Sequence, residues 1–290
     1  MAQAHNDYYV PHDTHWWPIV GSVGLTSLVV GFAMALNGAT GIGRFVMIAG
    51  VAVTLLMMFG WFGMVIKESS RGLYNKQVDR SFRWSMSWFI FSEVMFFAAF
   101  FGALFYARVY SLPWLGGAGS GALTNELLWP TFEFAWPSAG PDQLGGEFQA
   151  MPAWGIPAIN TAILLTSGVT VTWAHHALRA NHRGQLILGL FLTVALGLLF
   201  VGLQAFEYYE AYHHLNLKLS SGIYGSTFFM LTGFHGFHVT MGAIMLIVIL
   251  LRSIKGHFDP DNHFAFEAVA WYWHFVDVVW LGLFIFVYWL

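Results

Sequence analysis

Glu93 is the only formal charge in the 24 residues between Arg83 and Arg108, WSMSWFIFSEVMFFAAFFGALFYA. A carboxylate in the middle of such a run costs about 2.5–3.5 kcal/mol on insertion scales, so an acid there marks a candidate functional site. Its neighbours one helical turn away, Phe89, Ile90, Phe96 and Phe97, are all apolar. A partner for Glu93 must therefore be another helix, trapped water, a lipid or its own proton. Four more polar residues share the problem. His235 and His238 lie three apart in one apolar run, and His274 and Asp277 three apart in another, so each pair shares a helix face. His274 can satisfy Asp277 within its own helix. Depth along the spans points Glu93 toward His238 or His235 on a neighbouring helix. These residue types hold and exchange protons, and proton chemistry competes with plain hydrogen-bonded packing at every one of them.

Histidine also ligates haem iron, copper and zinc. A transmembrane haem needs histidines facing one another from two helices at matching depth. His235, His238 and His274 make an incomplete set, so no intrinsic metal and no catalytic residue is expected in this chain.

The elements that hold these residues are apolar spans. The chain is 57% hydrophobic and only 9% charged, against about 25% charged in a soluble domain, so it is read as an all-α polytopic membrane protein forming a single membrane domain over residues 1–290. Counting between charges gives seven spans, Ile19–Leu36, Phe45–Ile66, Trp84–Ala107, Ile156–Trp173, Leu186–Phe206, Tyr224–Leu251 and Ala268–Leu290. Helices are the expected form, because lipid offers no hydrogen bonds to open backbone and no barrel-like alternation is present. With no cysteine, disulfides and thiolate chemistry are excluded. Scattered Lys and Arg leave no nucleic-acid footprint. The opening MAQAHNDYYVPHDTHWWP lacks the basic n-region of a signal peptide, so the first apolar run is expected to remain as a span.

Nine of the twelve Lys and Arg (Lys67, Arg71, Lys76, Arg80, Arg83, Arg179, Arg183, Arg252 and Lys255) fall on one side of the seven spans. The positive-inside rule then puts the N-terminus inside and the C-terminus outside. The long connection 111–155 lies outside and carries Glu126, Glu133, Asp142 and Glu147 without a base. It reads as a solvated acidic loop, with a docking surface for a basic partner as the alternative. Eight histidines outside the spans face inside (His5, His12, His15, His175, His176, His182, His257 and His263), where they can collect protons or serve as ordinary loop residues.

Five ordered motifs carry a resemblance: SEVMFFAAFF at 92–101, TWAHHAL at 172–178, QAFEYYEA at 204–211, YGSTFFMLTGFHGFHV at 224–239 and FEAVAWYWHFVDVVWLGLFIFVYW at 266–289. Together they resemble the third subunit of haem–copper cytochrome c oxidases, over about residues 16 to 290. The resemblance implies seven helices arranged as a two-helix group (19–66) and a five-helix group (84–290) with a lipid-filled cleft. It implies a subunit without a redox centre in a proton-translocating oxidoreductase. Haems and coppers then sit in subunits I and II, and cytochrome c is the substrate of the complex. Such a subunit stabilises subunit I and supports sustained turnover, proton uptake and oxygen access. The family's buried glutamate matches Glu93. Seven spans favour the cytochrome c branch over quinol oxidases, whose third subunit lacks the first two helices. A bacterial inner membrane is expected, with the mitochondrial inner membrane as the alternative.

The resemblance also implies structural phospholipid. The family's lipid-binding segment matches WFGMVIKES at 61–69, which makes Trp61, Lys67, Glu68, Arg71 and Arg252 the candidate contacts. Cations beside a bilayer attract anionic headgroups, although they also enforce topology. Phe62 replaces a usual tryptophan and Lys67 a usual arginine, so the headgroup is left open. A competing reading of the whole chain is a proton-coupled transporter working through Glu93.

Overall fold

The computed structural model describes residues 16–143 and 145–290. Among them seven helices are long and apolar enough to cross a membrane. They are α1 (Trp17–Leu36), α2 (Thr40–Ser70), α3 (Lys76–Tyr106), α4 (Ile156–Arg179), α5 (Arg183–His213), α6 (Gly222–Ile254) and α7 (Phe264–Leu283). The all-helical, seven-span fold class is as expected. Most helices outrun their apolar stretches, because helical hydrogen bonding continues through polar flanks at the interface. At 31 residues, α2 is about 46 Å long, well beyond the roughly 30 Å of hydrocarbon. Arg44 therefore sits in the first turns of α2 rather than in a connection, and His175 and His176 lie inside α4.

The described chain packs as two compact units, divided within α3 after Trp84. In the first, α1 and α2 form a hairpin joined by Asn37, Gly38 and Ala39. Asn37 Nδ2 donates to the Ala33 carbonyl at 2.9 Å, and Gly38 takes a φ of +91° to turn the chain. Gly24 and Gly31 on α1 and Gly43 and Gly50 on α2 repeat at seven-residue intervals. A Cβ on Gly31 would overlap the backbone of Met47 and Gly43, and one on Gly50 the backbone of Leu28 and Gly24. The two backbones thus touch. In lipid, where apolar surface alone gives helices no reason to associate, this close approach is what holds them.

In the second unit α4 packs on α5, α5 on α6, α6 on α7, and α7 returns to α4. The four-helix ring buries Trp273, Trp280, Phe200, Leu164 and Leu231. Gly197 and Gly242 leave room for the Trp273 indole, whose Nε1 donates to Ser167 Oγ at 2.8 Å. Trp280 Nε1 donates to Thr161 Oγ1 at 2.9 Å. The part of α3 in this unit meets the ring through large rings, with Phe96 against Phe234 at 4.9 Å and Phe89 stacked on Tyr272 at 6.2 Å.

The long connection 111–155 is more ordered than a loop reading implies. It holds short helical pieces at Leu112–Leu115 and Ala122–Leu128, and Asn125 Nδ2 lies within bonding distance of the carbonyls of Leu115, Trp129 and Phe132. The connection then folds over the α5–α6 turn. Gln149 N donates to Leu215 O at 2.9 Å, and Phe148 stacks on Tyr224 at 5.4 Å. Its four acids are exposed.

The α1–α2 contact yields a clean test. Gly50→Leu is expected to destabilise the hairpin by at least about 1–3 kcal/mol, as overpacking does. Gly41→Leu, whose added Cβ meets nothing within 4 Å, should leave it unchanged. Unfolding titrations in bicelles would read both.

Candidate functional site

Glu93 projects from the middle of α3 toward α6, where Glu93 Oε2 lies 2.8 Å from His238 Nε2. The other ring nitrogen settles the chemistry of this contact. His238 Nδ1 is 2.6 Å from the Phe234 carbonyl oxygen, and a carbonyl can only accept, so Nδ1 carries a hydrogen. If the ring were neutral and Glu93 ionised, a nitrogen lone pair would then face a carboxylate at hydrogen-bonding distance. The pair is bonded only if it holds one further proton, either as carboxylic acid and imidazole or as carboxylate and imidazolium. Both arrangements have no net charge, which is the form that low-dielectric surroundings favour.

Aromatic rings enclose the imidazole: Phe97 at 5.0 Å, Phe96 at 6.0 Å, and Tyr272 nearly parallel at 6.3 Å. His238 has 9% of its side chain exposed and Glu93 has 22%. The proton therefore sits under one layer of side chains, reachable from the acid's side.

His235, one turn earlier, does not join the pair. It is fully buried, with Nε2 3.2 Å from the Val276 carbonyl oxygen. The rings of Trp280 and Phe200 lie 5.1 and 5.7 Å away. His274 faces α4, with Nε2 3.2 Å from Thr172 Oγ1 and Nδ1 3.6 Å from Asp277 Oδ2. Asp277 Oδ2 presses toward Gly168, where a Cβ would collide with it. Asp277 is thus met by its own helix neighbour at a long distance. His274, Asp277, Thr172 and His176 line one shallow, mainly apolar groove with Trp173 and Leu281. The three span histidines each have a different partner, and they do not converge on one centre.

One acid was missed by counting between charges. Glu207 lies beyond the apolar run of the fifth span, yet it is fully buried and its Oε1 accepts from Tyr288 OH at 2.6 Å. Gln204 is buried beside it on α5, and Tyr208 OH bonds Thr232 Oγ1 at 2.7 Å. A signal was present: Gly197, Phe200, Gln204, Glu207 and Ala211 recur at three- and four-residue steps and form one buried stripe.

With this geometry in place, comparison with known proteins is decisive. The family model described as Cytochrome c oxidase subunit III matches residues 7–290. A cytochrome c oxidase subunit 3 from Marchantia polymorpha is 42% identical over all of this chain and 98% of that protein. Those from Dugong dugon and Equus caballus are each 40% identical over 94% of this chain and 93% of theirs. The chain belongs to the cytochrome c oxidase subunit III family.

For this subunit III chain, the residues suggested for lipid fall into the two units. Trp61, Lys67 and Arg71 are exposed on and just after α2. Glu68 Oε2 accepts from Tyr74 OH at 2.7 Å. Arg252, in the second unit, is buried with its guanidinium 4.4 Å from the centre of the Phe258 ring. Of the eight histidines expected inside, His5, His12 and His15 lie outside the described residues, whereas His175 and His263 meet near Glu267.

A double-mutant cycle between Glu93→Gln and His238→Gln should return a coupling of about 0.5–3 kcal/mol in an unfolding titration, as for groups in direct contact. The cycle between Glu93→Gln and His235→Gln should return a value near zero.

Proposed function

We propose that the chain acts as the subunit without a redox centre in a proton-pumping cytochrome c oxidase. It packs on subunits I and II, which carry the haems and coppers and take electrons from cytochrome c. It stabilises subunit I, binds phospholipid, and supports proton uptake and oxygen access. The observation that carries this reading is family membership over residues 7–290 together with the one-proton Glu93–His238 pair. The histidine geometry supports the redox-free role. His235 has its Nε2 engaged by the Val276 carbonyl and its ring packed against Trp280 and Phe200. His238 is engaged at both nitrogens.

The membrane setting follows the same lines. The charge bias supports an inner-membrane protein with its N-terminus on the cytoplasmic or matrix side. Lys67 and Arg71, exposed at the inner end of α2, are suited to anionic headgroups, with Trp61 at the same helix end as an interfacial anchor.

Two measurements test this. Removing the chain from the complex should leave the haem spectrum and the initial rate intact, while the rate after many turnovers falls and the pH dependence of proton uptake changes. An enzyme unaltered in sustained rate and pH dependence would reduce the chain to scaffolding, and a Soret band from the chain alone would overturn the redox-free assignment. Separately, Lys67→Ala with Arg71→Ala should lower the amount of co-purified anionic phospholipid seen by native mass spectrometry. Unchanged lipid would remove those two residues from the contact set.

A further inference from the structure

His175 on α4, His263 at the N-cap of α7 and Glu267 in the first turn of α7 bring three donor atoms together at the helix ends assigned to the inner side. His175 Nε2 is 3.4 Å from His263 Nε2 and 3.7 Å from Glu267 Oε1, and His263 Nε2 is 3.1 Å from the same oxygen. The circle through these three atoms has a radius of about 2.0 Å. An ion about 0.7 Å out of their plane would lie about 2.1 Å from all three, within the ordinary range of zinc–imidazole and zinc–carboxylate bonds. That offset is also what one face of a tetrahedron requires. An octahedral face at the same bond length has edges of about 3.0 Å, shorter than all three observed.

The orientation of His263 agrees. Its Nδ1 lies 3.0 Å from the Asp259 carbonyl oxygen, so Nδ1 carries the hydrogen and Nε2 turns its lone pair to the cluster. A ligating histidine is commonly held in this way, its second nitrogen donating to a carbonyl. That lone pair faces a carboxylate oxygen at 3.1 Å, a contact that either a shared proton or a bound cation satisfies. His263 is buried and the His175 side chain is 29% exposed, so the site has walls and an entrance.

We propose that His175, His263 and Glu267 bind one divalent transition-metal ion of the zinc class, with water or another donor completing the tetrahedron. The ion clamps the end of α4 to the start of α7, residues 88 positions apart in the chain. Two imidazoles and one carboxylate suit zinc and disfavour magnesium or calcium, which take oxygen ligands. The site lies apart from the Glu93–His238 pair and does not depend on the role proposed above.

The test uses the purified membrane complex that contains this chain. It is stripped with a chelator, equilibrated with Zn2+ and freed of excess. Elemental analysis should find one more zinc per complex in the native protein than in His175→Ala. The zinc-edge X-ray absorption difference between the two should show two imidazoles and one carboxylate. His176→Ala, a neighbour outside the set, should keep the ion, and His175→Asp, which restores a donor, should recover it. Because His175→Ala alone could perturb packing, a second reading uses only the native complex: zinc should raise the thermal unfolding midpoint of this subunit. Equal zinc in native and His175→Ala complexes, a difference spectrum without imidazole scattering, or no rise in the midpoint would each overturn the proposal.

Discussion

A polar atom in hydrocarbon has no solvent to fall back on, and this chain is organised around that fact. Glu93 reaches across to His238, Trp273 donates to Ser167, Trp280 to Thr161, and Tyr288 to Glu207. Each bond joins different helices or the C-terminal segment. Because an unmatched group costs about 1–3 kcal/mol and often more in an apolar interior, these bonds fix which helix faces which. The aromatic rings then fill the space the bonds define. Between α1 and α2, glycine performs the same service by letting backbones touch.

The spans were legible because charge is so rare: seven stretches between charges become seven helices. Their ends were not legible, since Lys76, Arg80 and Arg83 continue the helical turn of α3 and Arg179 that of α4. A hydropathy count stops at the first charge, whereas the backbone stops only where its hydrogen bonds do. The folded connection 111–155 was equally hidden, because its order comes from Asn125 gathering nearby carbonyls and from Gln149 and Phe148 meeting backbone and ring far along the chain.

The site was legible in part. An acid without a partner on its own helix and a histidine at similar depth on another have few other solutions than each other. Choosing His238 over His235 was beyond the sequence, since His235 bonds the Val276 backbone, a partner that leaves no mark in residue type. Glu207 escaped because it follows the apolar run rather than interrupting it. His175 and His263 were counted among the histidines between spans, but nothing in residue type joined them to each other or to Glu267, which stands in an apolar stretch at the start of the seventh span.

The anchored ring of His238 has one more implication. A histidine passes a proton onward by taking it at one nitrogen and releasing it from the other. Here the far nitrogen points at an amide oxygen in its own helix, which has no proton affinity to speak of and no onward neighbour. Charge entering at Glu93 can be held and given back the way it came. As a geometry, the pair suits keeping a charge in one place rather than handing it along a line.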